Sequence, residues 1–395
     1  MHFTPLEEIQ QRIKALQNAM ENCGLDGSLI VQRIDLFYFS GTGQDAHLFV
    51  PVQGSPLLLV RKNLERALED SPLEHVLEVT SLSSLSDILK KEYSSPVNRL
   101  GMELDVLPVN NFRYYSNLLP NATIEDVSPL IREIRMVKSE YELQMMRQTA
   151  VMSDETFSTV REILKEGMSE VEFAGLVEAQ YRKNGHQGLV RVRSFNQDVF
   201  YGQILSGPNL AVPSCSIGAT GGRGLNPSMP QGAGSRIIKR HEPIQIDFGV
   251  VLNGYVVDQS RTFFIGEPPE KFLKIHATAL AIQEALIPEG RPGTKAEKLY
   301  DIAVNMAADA GLTKGFMGYP MPVPFVGHGV GLELDELPIL GRKSPHVLKE
   351  GMVVAVEPKF ILPGEGLAGI ENTFVVTEKG LARLTNFDDA IQVLQ

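Results

Sequence analysis

The sequence of 395 residues has no tryptophan and only two cysteines, Cys23 and Cys215. Two cysteines are too few for a disulfide framework or for a zinc site built from thiolates. Sparse cysteine is typical of proteins in a reducing compartment. We therefore expect a cytoplasmic protein without disulfide bonds.

Long apolar runs and an excess of basic residues are also missing. No segment approaches the roughly 20 apolar residues of a membrane-spanning helix. The N-terminal segment reads as a charged amphipathic helix, without the apolar core of a signal peptide. The formal net charge is −11, whereas nucleic-acid-binding surfaces are basic. These absences predict neither a membrane nor a nucleic-acid partner.

Two patterns divide the chain and predict two domains. Up to about residue 128, strand-like and helical patterns alternate, which is typical of an α/β domain. In this part we interpret "SLIVQ" and "LFYFSG" as buried strands, and "HLFVPVQGSPLLLVR" as a hairpin. Beyond it, helical patterns give way to strands and Gly/Pro-rich loops, which predicts an α+β domain. We place the domains at residues 1–130 and 131–395, with a loop at 218–234.

Alternating apolar residues around Asn253-Gly254 predict a β-hairpin. Each arm carries one acid, Asp247 and Asp258. A two-residue turn pairs Gly249 with Asp258, so the two acids share a face as diagonal neighbours about 7 to 8 Å apart. Such acids either hold a common ion or face solvent on an exposed side of the sheet. The hairpin alone leaves both interpretations open.

Three further polar residues stand in apolar strand-like segments. His328 lies in "PFVGHGVGLELDELP", Glu357 precedes the final proline of "GMVVAVEP", and Glu371 begins "ENTFVVT". Each taken singly is compatible with a core or surface position. Four carboxylates and one imidazole together suit Mn, Co, Fe or Zn, with Mn favoured. Two such ions hold a hydroxide between them and polarise a carbonyl. The predicted metal ligands are Asp247, Asp258, His328, Glu357 and Glu371.

The order and spacing of these motifs resemble the creatinase/aminopeptidase family, which includes Xaa-Pro aminopeptidases and prolidases. The motifs are "IDFG…NGY…DQSRTFFIG", "GHGVGLE", "VEP" and "GIENTFVVTEKG". The resemblance implies a creatinase-type α/β amino-terminal domain and a pita-bread catalytic domain. It also implies two divalent ions bridged by Asp258 and Glu371, with Glu357 as general base. A homodimer is expected, in which the amino-terminal domain leans over the partner's active site.

Two histidines that such peptidases use to contact substrate are replaced in this sequence. Ser214 stands at one position, in "SGPNLAVPSC", and Asp335 at the other, in "GHGVGLELDE". A serine still donates a hydrogen bond, whereas a carboxylate stabilises an oxyanion only when it is protonated. The catalytic candidates are therefore Glu357, Asp335 and Ser214.

We expect a dinuclear metal-dependent hydrolase, most simply an Xaa-Pro aminopeptidase or dipeptidase acting on short peptides. The alternative is a lyase or small-molecule hydrolase on the same fold, for example one that resembles dimethylsulfoniopropionate lyases and uses Asp335 as base. A third class is a binding module like the peptidase-like domains of histone chaperones. Those domains lose the metal ligands that this chain keeps.

Overall fold

The computed structural model describes residues 2–93, 95–197 and 201–395. The chain divides into two compact units, Met1–Arg135 and Met136–Gln395. None of the helices in the described residues has both the length and the apolar character that crossing a membrane requires.

The amino-terminal unit is built on a six-stranded mixed sheet in the order β4-β3-β2-β1-β5-β6. Its strands are β1 (Gly27–Ile30), β2 (Ala46–Pro51), β3 (Leu57–Val60), β4 (Val76–Glu78), β5 (Arg99–Met102) and β6 (Thr123–Asp126). Its helices are α1 (Leu6–Cys23), α2 (Arg33–Ser40), α3 (Leu64–Asp70), α4 (Leu85–Glu92), α5 (Val109–Leu118) and α6 (Ser128–Met136), the last of which crosses the division. The alternation of helix and strand agrees with the predicted α/β character.

The prediction of a strand at "LFYFSG" is wrong, because this segment lies in α2. The side chain of Gln32 accepts hydrogen bonds from the backbone N–H groups of Ile34 and Asp35, which caps the helix start. Gly41 ends the helix in the left-handed conformation. A short apolar run does not distinguish a buried strand from a buried helix, and here the flanking caps decide for the helix.

In the residues that the structure describes, the second unit combines four α-helices with three sheets. The helices are α7 (Glu140–Ile163), α8 (Glu170–Lys183), α9 (Glu270–Leu286) and α10 (Ala296–Asp309). The strands are β7 (Gly202–Ser206), β8 (Ile244–Leu252), β9 (Tyr255–Ile265), β10 (Phe325–Gly329), β11 (Glu336–Gly341), β12 (Val353–Val356), β13 (Lys359–Leu362), β14 (Gly366–Gly369), β15 (Asn372–Thr377), β16 (Gly380–Arg383) and β17 (Gln392–Leu394). The sheets run in the orders β17-β9-β8-β7, β11-β10-β12-β15-β16 and β13-β14.

The hairpin β8–β9 has the predicted register. Asn253 and Gly254 both have positive φ, as a two-residue turn of this type requires. Gly249 pairs with Asp258, and Asp247 pairs with Ser260. Asp247 and Asp258 therefore lie on the same face of the hairpin.

A short bridge holds this hairpin against β15. The backbones of Ser260 and Glu371 exchange two hydrogen bonds of 3.3 and 3.4 Å. Two residues further along each segment, the Thr373 hydroxyl donates to the Asp258 carbonyl and accepts from the Asp258 N–H, both at 2.8 Å. Acids from two different sheets are thereby fixed beside each other.

Candidate metal centre and pocket

The five predicted ligands lie in strands or directly next to them. Their side chains line one pocket of about 140 Å³. Asp247 and Asp258 come from β8 and β9, and His328 comes from β10. Glu357 follows β12, and Glu371 precedes β15. The pocket wall includes Tyr201, Gln203, Ser216, Asp247, Asp258, His328, Asp335, Glu357, Lys359 and Glu371.

Three of the five side chains form a group that fits a metal ion. One ligand atom from each of Asp258, His328 and Glu371 lies within 4.8 Å of the others, and all three residues are buried. The Oδ1 atom of Asp258 is buried without a hydrogen-bond partner among the described residues. A buried carboxylate oxygen without a donor is costly unless a cation balances it. The group therefore fits a divalent ion held by oxygen and one imidazole nitrogen.

The imidazole of His328 is oriented as a metal ligand requires. Its Nδ1 atom lies 3.1 Å from the Gly329 carbonyl and 3.2 Å from the Leu334 carbonyl, so we assign the ring proton to Nδ1. Its Nε2 atom faces the acids, 3.8 Å from Asp258 Oδ2 and 3.7 Å from Glu357 Oε1. A backbone carbonyl that fixes the tautomer in this way is common behind ligating histidines.

The acids of this cluster repel one another when no metal ion lies between them. Burial, followed by the charge of Asp247, raises the pKa of Asp258 to about 7. Burial, followed by the charge of Asp258, raises the pKa of Glu371 well above its ordinary value. A nearby cation favours the charged form of a carboxyl group and so opposes both shifts.

Lys359, at the start of β13, was not predicted as a site residue. Its Nζ atom donates to Asp247 Oδ2 at 2.7 Å, Glu357 Oε2 at 2.8 Å and Glu371 Oε2 at 2.9 Å. Burial alone would lower the pKa of Lys359, but these three carboxylates raise it well above its ordinary value. A signal was present in the sequence, since Lys359 follows Glu357 by two residues and alternate residues of an extended chain share a face.

The two positions where the resemblance implies histidines differ in their placement. Asp335 lines the pocket, and its Oδ1 lies 3.6 Å from His328 Nδ1. Burial raises the pKa of Asp335, and His328 opposes that shift. Ser214 is absent from the described pocket wall. Its hydroxyl instead pairs with that of Ser216, at 3.0 Å, and Ser216 lines the pocket.

The Gly/Pro-rich loop at 218–234 contributes directly to the pocket. Gly218, Ala219 and Thr220 from its start, and Gln231 and Gly232 from its end, line the wall. The loop is anchored outside the pocket, because the Thr220 hydroxyl donates to the Leu210 carbonyl at 2.6 Å. It therefore forms one wall beside the strand-borne acids.

Known proteins resemble this chain over almost its whole length. A family model described as "Metallopeptidase family M24" matches residues 144–378, and one described as "Creatinase/Prolidase N-terminal domain" matches residues 12–137. An Xaa-Pro dipeptidase of Pyrococcus furiosus is 29% identical over 381 residues, which cover 95% of this chain and 98% of the relative. The "Uncharacterized peptidase YqhT" of Bacillus subtilis is 25% identical over 97% of this chain and 100% of the relative.

Solved structures show the same fold. The prolidase from Pyrococcus horikoshii OT3 is 26% identical and superposes with a TM-score of 0.80, over 96% of this chain and 99% of that structure. An Xaa-Pro dipeptidase from Bacillus anthracis is 22% identical, with a TM-score of 0.84 over 98% and 100% of the two chains. This second likeness bears on the fold alone.

These matches confirm the predicted architecture, a creatinase-type α/β domain followed by an α+β pita-bread domain. The M24 model alone matches more than half of the chain and includes all five predicted ligands. The chain therefore belongs to metallopeptidase family M24, a family of metal-dependent hydrolases.

Proposed function

We propose that this chain is an Xaa-Pro dipeptidase-like or aminopeptidase-like enzyme that hydrolyses short peptides with the help of a divalent metal ion. The observation that carries this proposal is the buried group of Asp258, His328 and Glu371 at the base of the pocket. The full-length similarity to proteins named Xaa-Pro dipeptidases supports the substrate class.

The residues divide into metal-holding and proton-handling roles. Asp258, His328 and Glu371 hold the ion, and Mn²⁺ is the first candidate because the donors are mostly carboxylate oxygens. The ion, when bound, polarises the peptide carbonyl and makes a water molecule acidic enough to attack. Glu357 is the general base, since its buried carboxylate faces the same space as His328 Nε2.

Two pocket residues take over substrate contacts. The Ser216 hydroxyl lies in the wall close to the position expected of Ser214 and supplies a neutral hydrogen-bond donor. The Asp335 side chain is 40% exposed, so it can meet a ligand in the pocket. Its negative charge suits the amino terminus of a short peptide.

Proline release from a panel of Xaa-Pro dipeptides and longer Xaa-Pro peptides tests this proposal, with Mn²⁺, Co²⁺, Fe²⁺ and Zn²⁺ supplied in turn. We expect turnover with at least one metal, a loss on chelation, and a fall of about 10²-fold or more in Glu357→Gln. Glu378→Gln, on an exposed turn, is the matched control and keeps wild-type turnover. An absence of peptide turnover with every metal, from protein that holds metal, would exclude the peptidase.

A second candidate function is favoured by the position of Asp335. A carboxylate beside His328 and within the pocket is placed to remove a proton from a metal-bound small molecule, as in a lyase or a small-molecule hydrolase. The same residue thus serves either as a contact for a peptide amine or as a base. The variants described in the Discussion separate these roles.

We also infer a homodimer and a cytoplasmic location. The family resemblance supports the homodimer, and light scattering that finds only monomer at micromolar concentration would refute it. The scarcity of cysteine supports the cytoplasm, since both cysteines are free and exposed. Recovery of the native protein outside the cytoplasm in cell fractionation would contradict that inference.

A further inference from the structure

Lys359 brings a positive charge into the centre of the acidic cluster. The residue is only 3% exposed. Its three ammonium contacts, at 2.7 to 2.9 Å, reach acids from three separate segments of the chain, namely Asp247, Glu357 and Glu371. An ammonium group has three protons to donate, so all three are used by carboxylate oxygens of the predicted metal centre.

An ammonium group and a metal ion compete for the same oxygen atoms. A divalent transition-metal ion binds carboxylate oxygens at about 2.0 to 2.2 Å and needs several of them on its own side. The three oxygens directed at Nζ already surround a cation, and a second cation among them would lie too close to the ammonium group. Asp247 is the most affected, because its Oδ2 atom makes the shortest of the three contacts.

The other side of the cluster stays available to a metal. Asp258 Oδ1 has no hydrogen-bond partner among the described residues, and His328 Nε2 points at Asp258 and Glu357. Glu371 contributes to both sides, since one of its oxygens accepts from Lys359 and the residue also belongs to the group that fits an ion. The cluster is therefore divided between an ammonium side and a metal side.

We propose that the ammonium group of Lys359 replaces one of the two metal ions, so that each chain binds a single divalent ion. This inference rests on the proposed function, because it concerns the same metal-dependent site. The remaining ion is held by Asp258, His328 and Glu371, with Glu357 beside it. Asp247 becomes a partner of Lys359 rather than a metal ligand, which differs from the expectation drawn from the family resemblance.

Charge balance agrees with this arrangement. The four acids carry four negative charges when ionised, and Lys359 supplies one positive charge without requiring a metal. One divalent ion then leaves the cluster with a single net negative charge. A lysine fixed by the fold also holds the Asp247 carboxylate in place, through the 2.7 Å contact, when metal is scarce.

Metal stoichiometry tests the proposal directly. Apo protein is titrated with Mn²⁺ to saturation, bound metal is measured by elemental analysis after removal of free ion, and the Mn²⁺ electron paramagnetic resonance spectrum is recorded. We expect one ion per wild-type chain and the spectrum of isolated Mn²⁺. Lys359→Ala removes the ammonium group and opens its space, so we expect two ions per chain and a spin-coupled spectrum. The exposed Lys379→Ala is the matched control and binds one ion.

The possible results separate this inference from the proposed function. Two ions per wild-type chain would overturn the replacement by Lys359 and leave a metal-dependent peptidase standing. No bound metal in the wild type would overturn the proposed metal-dependent function together with this inference. One ion in wild type but no gain in a folded Lys359→Ala protein would also contradict the replacement. If Lys359→Ala fails to fold, the wild-type stoichiometry and spectrum still decide.

Discussion

The role of Asp335 distinguishes the two proposed reactions, peptide hydrolysis and proton removal from a small molecule. It lies in the pocket wall, 3.6 Å from the imidazole of His328, where the family resemblance implies a histidine. Binding of a peptide amine requires only the negative charge of the Asp335 carboxylate, whereas a proton-transfer reaction requires that the carboxylate accept a proton. Substitutions that change one property and keep the shape are therefore informative.

We predict that Asp335→Asn lowers peptide turnover mainly through a higher KM if Asp335 binds the substrate amine. If Asp335 is a base, the same change lowers kcat on the true substrate by about 10² to 10⁴-fold and leaves the metal bound. Steady-state kinetics combined with metal analysis distinguishes these outcomes. Asp335→His restores the residue type that the resemblance implies and should preserve or raise peptide turnover. A fall in turnover for Asp335→His equal to that for Asp335→Asn would argue against the peptidase role.

His47, in the amino-terminal unit, predicts a dependence of stability on pH. It is buried, and its Nε2 atom lies 2.7 Å from the Tyr115 hydroxyl. Burial, followed by the charge of Arg61, lowers its pKa from 6.5 to about 4. Between pH 4 and pH 6.5, His47 therefore binds a proton in the unfolded chain but not in the folded chain. The stabilisation is complete above pH 6.5 and is lost as the pH falls towards 4.

When the pH is lowered from 7.5 to 5.5, we expect protonation of His47 in the unfolded chain to lower the wild type's free energy of unfolding by roughly 1.4 kcal/mol. Urea unfolding at the two pH values measures this loss. In His47→Gln, the fall in the free energy of unfolding between the two pH values should be smaller than in the wild type by about that amount, since glutamine does not titrate. His75→Gln, at an exposed position of the same unit, should behave as the wild type does. Equal pH dependence in all three proteins would refute the assignment.

At the scale of the structural elements, the connection between β10 and β11 fixes His328 and Asp335 relative to each other. Glu336, at the start of β11, closes this connection because its Oε1 atom accepts from the N–H groups of Leu332 and Glu333, at 3.0 and 3.1 Å. Its Oε2 atom accepts from Lys138 Nζ at 3.0 Å, and both side chains are buried. Glu336 is thus a positioning residue.

We predict that Glu336→Ala destabilises the protein by about 3 to 5 kcal/mol, because it leaves the Lys138 ammonium group buried without its carboxylate partner. Glu378→Ala, in an exposed turn, should stay within about 0.5 kcal/mol of the wild type. Urea unfolding at neutral pH compares the two. The double variant Lys138→Met/Glu336→Leu should recover part of the loss, since it removes both charges. A Glu336→Ala protein as stable as Glu378→Ala would contradict the structural role.

The elements also show what the sequence predicts well and what it does not. The register of β8 and β9 is predictable because the Asn253-Gly254 turn fixes which residues pair. The helix at "LFYFSG" was mistaken for a strand because periodicity is ambiguous in short apolar runs. Lys359 was overlooked because its importance depends on acids from distant segments, whose convergence is a property of the folded chain. For the same reason, the sequence does not predict that Ser216, rather than Ser214, lines the pocket.

At the scale of the whole molecule, metal binding and folding are linked. The proposed ligands Asp258, His328 and Glu371 are separated by 43 or more positions in the sequence and meet only in the folded chain. An ion that binds the folded form alone stabilises it in proportion to the logarithm of its concentration. Burial raises the pKa values of Asp258 and Glu371 even with Lys359 nearby, and a bound metal ion would oppose both shifts.

We predict that Mn²⁺ at about 1,000 times its Kd adds about 4 kcal/mol to the stability of the metal-binding unit. For a unit of this size, the gain corresponds to a rise in Tm of about 10 °C, and a chelator should reverse it. Differential scanning calorimetry with and without Mn²⁺ provides the measurement. Asp258→Ala removes a ligand and should show no metal-dependent rise. Identical melting curves for wild-type protein in Mn²⁺ and in chelator would exclude a tight site.

The loop at 218–234 has a consequence for how this enzyme can change over evolutionary time. The proposed reaction depends on side chains that several hydrogen-bonded strands hold in place, so a change in one strand would disturb the others. The loop reaches the pocket through Gly218, Ala219, Thr220, Gln231 and Gly232, but it supplies none of the five predicted metal ligands. Exchanging this loop between relatives should therefore alter substrate preference while the reaction is retained. Selection and protein engineering can act on the two parts separately.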